Sequence, residues 1–190
     1  MAAQFLESTG AELPARRLHQ DPYSQNQYGI SAFSRTPRSF MTAIRADIGE
    51  DQAYKQALLR GEIGLQRPFG ANVPGVDFIT AVRDGASGIK EVLCTDVKTS
   101  GRGRFPAPKK TIPGTWLSEV QGAVSASRLK LKVSVADAAS AAGSLPMPHT
   151  PAEVAALEQK IRDAVSQNRV RLRQLNANYS PAGQGNITGW

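Results

Sequence analysis

The sequence predicts an α/β fold in which a small mixed sheet is flanked by helices, with an extra long helix towards the C-terminus. Two neighbouring segments, 75–82 and 89–100, have strand-like patterns and are separated by the turn residues Asp84-Gly85 and Ser87-Gly88. Apolar residues recur at helical spacing in 38–60, in 115–129 and after Pro151. With 41% hydrophobic and 21% charged residues, the chain has the composition of a globular protein with a real core.

Three regions are expected along the 190 residues. Residues 1–37 have no sustained period and predict an irregular lead-in. Residues 38–135 are expected to form the core. Residues 136–190 are expected to supply a linker, the long helix and a tail that packs on the core.

The formal net charge of +7 indicates a polyanion or an acidic protein as partner. No run of about 18 apolar residues occurs, so no membrane span is expected. The segment after Met1 has neither a basic nor a long apolar stretch, so no secretory signal of the usual kind is expected. A domain cut from a longer secreted chain would look the same.

The first helical region, 38–60, is interrupted by a turn-like sequence around Gly49. We therefore expect two helices, the second of which begins at Asp51 and ends near Gly61. This arrangement leaves Glu62 at the exit of the second helix.

The two strand-like segments are expected to form a hairpin, which is the firmest local signal in the sequence. Asp77 lies near the start of the first strand, and Asp96 and Lys98 lie near the end of the second. Because side chains alternate along a strand, Asp96 and Lys98 point to the same face. Aspartate is depleted in strands, so an acid within these apolar segments needs a reason, and a metal ion that handles phosphate is one.

A basic loop, residues 101–110, follows the second strand. Its positive charges are Arg102, Arg104, Lys109 and Lys110. Two interpretations are open. The loop is simply solvated, or its cations contact the phosphate backbone of a nucleic acid. The position directly after Lys98 favours contact with phosphates.

The second half of the chain is predicted to be mainly helical. After the helix at 115–129, apolar and polar residues alternate in 129–135, which predicts either a strand or the tail of that helix. The long helix begins with Thr150 as N-cap, Pro151 at the first position and Glu153 in a capping box. Its expected apolar stripe runs as far as Leu175, and its basic end either only packs or extends a nucleic-acid surface. The arginines of that end are Arg162, Arg169, Arg171 and Arg173.

The single cysteine, Cys94, excludes an internal disulfide framework and a multi-cysteine zinc site. It lies in an apolar strand segment and is expected to be a small buried hydrophobe. A nucleophilic role would require a nearby histidine, and the two histidines lie far away in sequence.

An acid and a lysine two positions apart form a weak motif, because about one such pair is expected by chance in a chain of this length. The sequence has two. Glu158-Gln-Lys160 lies in the long helix, where residues two apart diverge around the axis. Asp96-Val-Lys98 lies in a strand, where the two side chains share a face.

The order of Asp77, Asp96-Val-Lys98 and a preceding Glu62 resembles the PD-(D/E)xK restriction-endonuclease-like nuclease superfamily. The similarity covers about residues 50–130, with Val76 where the family motif has proline. The segments 61–68 and 75–77 are also similar in style to nuclease toxin domains of bacterial polymorphic and contact-dependent inhibition toxins. The resemblance implies a restriction-endonuclease-like core and a divalent-metal-dependent endonuclease that cleaves DNA or tRNA.

The same resemblance implies roles for individual residues. Asp77 and Asp96 would bind Mg²⁺ or Mn²⁺, Glu62 would be a further ligand directly or through water, and Lys98 would place its charge at the reacting phosphate. It also implies delivery by a larger secreted effector, action in the cytoplasm of a target cell, and an acidic immunity protein as partner. The alternatives are a structural ion pair between Asp96 and Lys98, a non-catalytic nucleic-acid-binding module, and an adaptor protein.

Overall fold

The structure, a computed structural model, describes residues 37–68, 75–85, 88–125, 129, 131, 150–180 and 185–190. The expected lead-in at 1–37 lies outside the described residues, except for Pro37, where the first helix begins. In chain order the elements are α1 (Pro37–Leu59), β1 (Ile63–Gln66), β2 (Phe78–Asp84), β3 (Gly88–Ser100), α2 (Gly114–Ala123), α3 (Pro151–Ser166), β4 (Val170–Asn178) and β5 (Asn186–Thr188).

The five strands form one mixed sheet in the order β1-β2-β3-β4-β5. The predicted hairpin is confirmed, since β2 and β3 are antiparallel and Phe78 lies opposite Thr95. Strand β4 is parallel to β3, with Asp96 opposite Gln174, while β5 runs antiparallel to β4. Parallel neighbours need a crossover connection, and α2 and α3 lie in it. The predicted α/β class with a mixed sheet and flanking helices is therefore confirmed.

Helix α1 is continuous, so the expectation of two helices around Gly49 is wrong. Glycine is present here because the helix packs closely on the sheet. A Cβ atom at Gly49 would collide with the methyl group of Thr99 and would lie 3.2 Å from the Cβ of Ala177. The residue that suggested a turn is in fact a point of close approach between α1 and the sheet.

The long C-terminal helix is shorter than predicted. The capping box at Thr150 and Glu153 is confirmed, but α3 ends at Ser166. Asn168, with φ 58°, then reverses the chain in the left-handed region that asparagine tolerates. The residues beyond it form strand β4, so Leu175 belongs to a strand and not to a helical stripe. The sheet thus draws on residues from both sides of position 135.

Helix α2 ends at Ala123 and is also shorter than the predicted 115–129 helix. Most of the alternating stretch 129–135 lies outside the described residues, as does the expected linker up to residue 149. Leu129 is described and is buried.

Two apolar layers pack on opposite faces of the sheet. On one face Ile79, Val92 and Cys94 pack against α2 and α3, through residues such as Trp116 and Ile161. The other face packs on α1, and its members include Ile48, Phe78, Val97 and Leu175. Cys94 is fully buried and free, and burial raises its pKa to about 12, as expected of a packing residue. No helix in the described ranges is both long and apolar enough to cross a membrane.

Candidate active site

Asp77, Asp96 and Lys98 lie together where β2 begins and β3 approaches its end. The backbone N–H of Asp77 donates to the carbonyl oxygen of Thr95 at 3.1 Å, so Asp77 continues the hairpin ladder next to Asp96. The Nζ atom of Lys98 lies 2.5 Å from Oδ1 of Asp96, as expected for residues on one face of a strand. The structure therefore brings these three predicted residues together.

The carboxylate of Asp77 lies in an unfavourable environment for a negative charge. Its Oδ2 atom accepts a hydrogen bond of 2.5 Å from the backbone N–H of Val97. Burial nevertheless raises the pKa of Asp77 to about 6, and the negative charge of Asp96 adds to the rise, against the opposing effects of Val97, Lys98 and Lys109. A positive ion beside the two acids would favour the charged form of Asp77 and offset both causes of the rise.

Asp96 is the most enclosed acid of the site, with 3% of its surface exposed. Both of its oxygens contact ammonium groups, since Oδ1 contacts Lys98 and Oδ2 lies 3.0 Å from Nζ of Lys109. The ammonium of Lys109 also lies 4.1 Å from the centre of the Trp116 ring on α2. Lys109 therefore belongs to the acid cluster in this structure, although the sequence predicted a contact with nucleic acid.

The rest of the basic loop is exposed beside this cluster. Ser100 Oγ accepts hydrogen bonds from the backbone N–H groups of Arg102 and Arg104, at 3.1 and 3.2 Å. The side chain of Gln174 on β4 donates to the carbonyl oxygen of Pro106 at 3.0 Å. The loop is thus fastened at two points while Arg102, Arg104 and Lys110 are exposed to solvent.

Glu62 does not join the other acids. Its two oxygens lie 2.5 and 3.0 Å from the guanidinium nitrogens of Arg173, and Thr80 donates to it at 2.6 Å. Arg173 also contacts the hydroxyl of Thr95, whose side chain points to the face opposite that of Asp96. With Glu62 and Arg173 about nine-tenths buried, this pair is a bidentate salt bridge inside the α1 face of the sheet.

The separation of Glu62 changes the predicted ligand set. Within the described ranges, no group of three or more His, Cys, Asp or Glu residues is placed to hold a metal ion. Mg²⁺ is commonly bound by only one or two carboxylates, with water and substrate phosphate as its other ligands. Asp77 and Asp96 fit this smaller set, because they lie side by side on the hairpin, and burial together with the charge of Asp96 raises the pKa of Asp77.

Sequence reasoning missed the contribution of β4. Gln174 and Asn176 lie opposite Asp96 and Lys98 in the parallel ladder, and Gln174 donates to Asn176 at 3.0 Å. These polar residues border the site on the side away from Asp77. The signal that could have found them is the alternation of Val170, Leu172 and Gln174 with arginines, which is a strand pattern.

Comparison with known proteins identified no relative of this chain. No protein-family model, curated protein or solved structure matches the chain.

Proposed function

We propose that this protein is a divalent-metal-dependent endonuclease that hydrolyses phosphodiester bonds in nucleic acid, with DNA favoured and tRNA as the other candidate substrate. The observation that carries the proposal is the cluster in which Asp77 and Asp96 lie side by side with Lys98 on one face of the β2–β3 hairpin. Acids that bind a hard cation and a lysine that faces phosphate are the groups this chemistry requires.

The fold is compatible with this proposal. A mixed sheet with helices on both faces, in which Asp77 directly precedes β2 and Asp96 lies in β3, is compatible with a core of the restriction-endonuclease type. The predicted positions of Asp77 and Asp96 relative to the hairpin are also those that the resemblance requires. Glu62 is not part of the proposed ligand set, because Arg173 already engages both of its oxygens.

Each residue of the cluster has a specific part in the proposed reaction. Asp77 and Asp96 would hold the cation, which when bound supplies a polarised phosphate and a water of lowered pKa. Lys98 would orient the attacking water or offset the negative charge that develops on the phosphate. Because Asp96 is buried, its charge is poorly screened by solvent and acts strongly on groups in contact with it.

The surroundings favour a polyanionic substrate. Arg102, Arg104 and Lys110 are exposed next to the cluster, where they can contact phosphates on either side of the cleaved bond. We further propose that the protein is the toxic domain of a larger bacterial effector that acts in the target-cell cytoplasm. An acidic immunity protein that covers this basic loop is then the expected partner, since the net charge of the chain is +7.

A cleavage assay with a matched pair of variants tests the function. Supercoiled plasmid and tRNA are incubated with Mg²⁺ and the parent protein, Asp96→Asn or Asp84→Asn. Asp84→Asn makes the same chemical change at an exposed residue at the opposite end of β2. We expect cleavage by the parent and Asp84→Asn and at least a hundredfold slower cleavage, about 3 kcal/mol, by Asp96→Asn. Equal rates for Asp96→Asn and the parent would refute the proposal.

One observation favours a second function. Both oxygens of Asp96 are engaged by lysines, which is also what a purely structural ion-pair cluster would show. In that case the protein is a non-catalytic nucleic-acid-binding module. Binding that weakens with salt, is independent of divalent metal and is not followed by cleavage would select this alternative.

A further inference from the structure

We infer that Lys109 is a second lysine of the reacting centre, which pairs with Asp96 in the free protein and transfers to a substrate phosphate when a divalent cation is bound. The inference rests on the proposed function, because it concerns the same site. It assigns to Lys109 a role different from that of the exposed cations in its loop, which contact phosphates away from the cleaved bond.

A bound divalent cation would compete with two lysines for Asp96. The ammonium of Lys109 lies 3.0 Å from Oδ2 of Asp96, and that of Lys98 lies 2.5 Å from Oδ1. A divalent cation that binds Asp96 must share a carboxylate whose oxygens both already contact a positive charge. Repulsion between the ammonium groups and the cation therefore opposes binding until one of the lysines leaves.

Lys109 is the lysine that can leave. Lys98 is part of β3, two residues from Asp96, and its backbone is held in the ladder with β4, where it lies opposite Asn176. Lys109 reaches Asp96 from a connection between β3 and α2 that contains neither helix nor strand, and 43% of its side chain is exposed. Loop segments of this kind can move without breaking the sheet.

Trp116 gives the displaced lysine a second contact. The ammonium already lies 4.1 Å from the centre of the indole ring, so a small shift away from Asp96 retains a cation–π interaction. Trp116 itself is buried in the core against the sheet and belongs to α2 rather than to the loop. The ring therefore keeps Lys109 close to the acids after it is released.

The charges of the cluster indicate where Lys109 goes. The negative charges of two acids, Asp77 and Asp96, balance the positive charges of two lysines, Lys98 and Lys109. A bound divalent cation therefore brings two uncompensated positive charges to a mostly enclosed site. A phosphodiester group supplies negative charge at that point, and lysine is a common phosphate ligand. The released ammonium then lies beside the phosphate that the cation contacts.

Metal affinity, measured without any substrate, is the first test. Isothermal titration calorimetry with Mn²⁺ compares the parent with Lys109→Met, which keeps an apolar chain over Trp116 but removes the charge. We expect the affinity to rise by about two- to fivefold, the size of one half-exposed ion pair. Lys90→Met removes an exposed lysine at the other end of β3 and should leave it unchanged. An unchanged or weaker affinity in Lys109→Met would overturn the inference.

The salt dependence of binding tests the transfer to phosphate. Affinity for a short labelled DNA duplex is measured at several salt concentrations, with EDTA or with Ca²⁺ in place of Mg²⁺. In Ca²⁺ the slope of log affinity against log salt should be smaller by about one in Lys109→Met than in the parent. In EDTA the two slopes should agree, because Lys109 is then held by Asp96. The same slope difference with and without Ca²⁺ would show that no exchange occurs.

Failure of this inference is distinguishable from failure of the proposed function. A parent protein that binds Mn²⁺ and cleaves, with no change in Mn²⁺ affinity in Lys109→Met, refutes only the exchange. A parent that binds no Mn²⁺ and cleaves nothing refutes the proposed function, and the inference falls with it. Circular dichroism of Lys109→Met establishes that a changed affinity does not come from unfolding.

Discussion

Replacing Asp77 with asparagine should stabilise the metal-free protein near neutral pH. Burial, with a contribution from Asp96, raises the pKa of Asp77 from 3.8 to about 6. The folded chain therefore holds this proton more tightly than the unfolded chain. The stabilisation is fully present below about pH 4 and is lost as the pH rises through about 6. This rise in the pKa of Asp77 corresponds to about 3 kcal/mol.

Asparagine removes this pH dependence but keeps the local geometry, because its side-chain oxygen can still accept the hydrogen bond from the N–H of Val97. The stability of Asp77→Asn relative to the parent should therefore increase between about pH 4 and 6 and level off above that, by up to about 3 kcal/mol. Urea unfolding in EDTA at several pH values measures the difference in unfolding free energy between Asp77→Asn and the parent. The contributions of the other titrating groups cancel in this difference.

Asp84→Asn provides the control, because Asp84 is exposed. The unfolding free energy of this variant relative to the parent should not change across the same pH range. A flat difference for Asp77→Asn would refute the account of Asp77 as an acid destabilised by burial and by the charge of Asp96. Saturating Mn²⁺ should reverse the order of stability, because it stabilises only the protein that binds it.

Three further substitutions test the packing around the site. Arg173→Met leaves the carboxylate of Glu62 buried without its partner and should cost about 3–5 kcal/mol in urea unfolding. Arg171→Met breaks a pair with Glu91 on the same strand, in which the arginine side chain is 71% exposed, and should cost only about 1 kcal/mol; a cost equal to that of Arg173→Met would contradict the burial argument. Gly49→Ala should lower stability by about 1–2 kcal/mol because the added methyl group collides with the sheet, although alanine normally favours a helix. A gain in stability would contradict the close packing of α1 on the sheet. Thr150→Ala should cost about 1 kcal/mol through loss of the capping box, with Thr115→Ala, at an exposed helix position, as the neutral comparison.

The parts of the fold that sequence reasoning predicted correctly depend on local signals. The hairpin follows from turn residues between two apolar segments, and it brings Asp77 to Asp96 without any knowledge of the rest of the chain. The start of α3 follows from Thr150 and Glu153 in the same way. These features could be predicted because the residues that determine them lie within a few positions of one another.

The parts that sequence reasoning missed depend on contacts between distant segments. Gly49 suggested a turn because the sheet against which it packs could not be seen from the sequence. Strand β4 was mistaken for helix because Leu172 and Leu175 also fit a helical period when the turn at Asn168 is overlooked. The partner of Glu62 lies 111 residues away, so its carboxylate looked available for a metal ion.

The parallel pairing of β3 with β4 also bears on the order in which the site assembles. The two acids meet through a hairpin, whereas Thr95 and Arg173 are 78 residues apart when they come into contact. Closing so long a segment costs more chain entropy and is slower than closing a hairpin. We therefore expect refolding to form the pair of acids first and to enclose it later. Hydrogen-exchange labelling during refolding should protect the amide of Asp77 before those of β4.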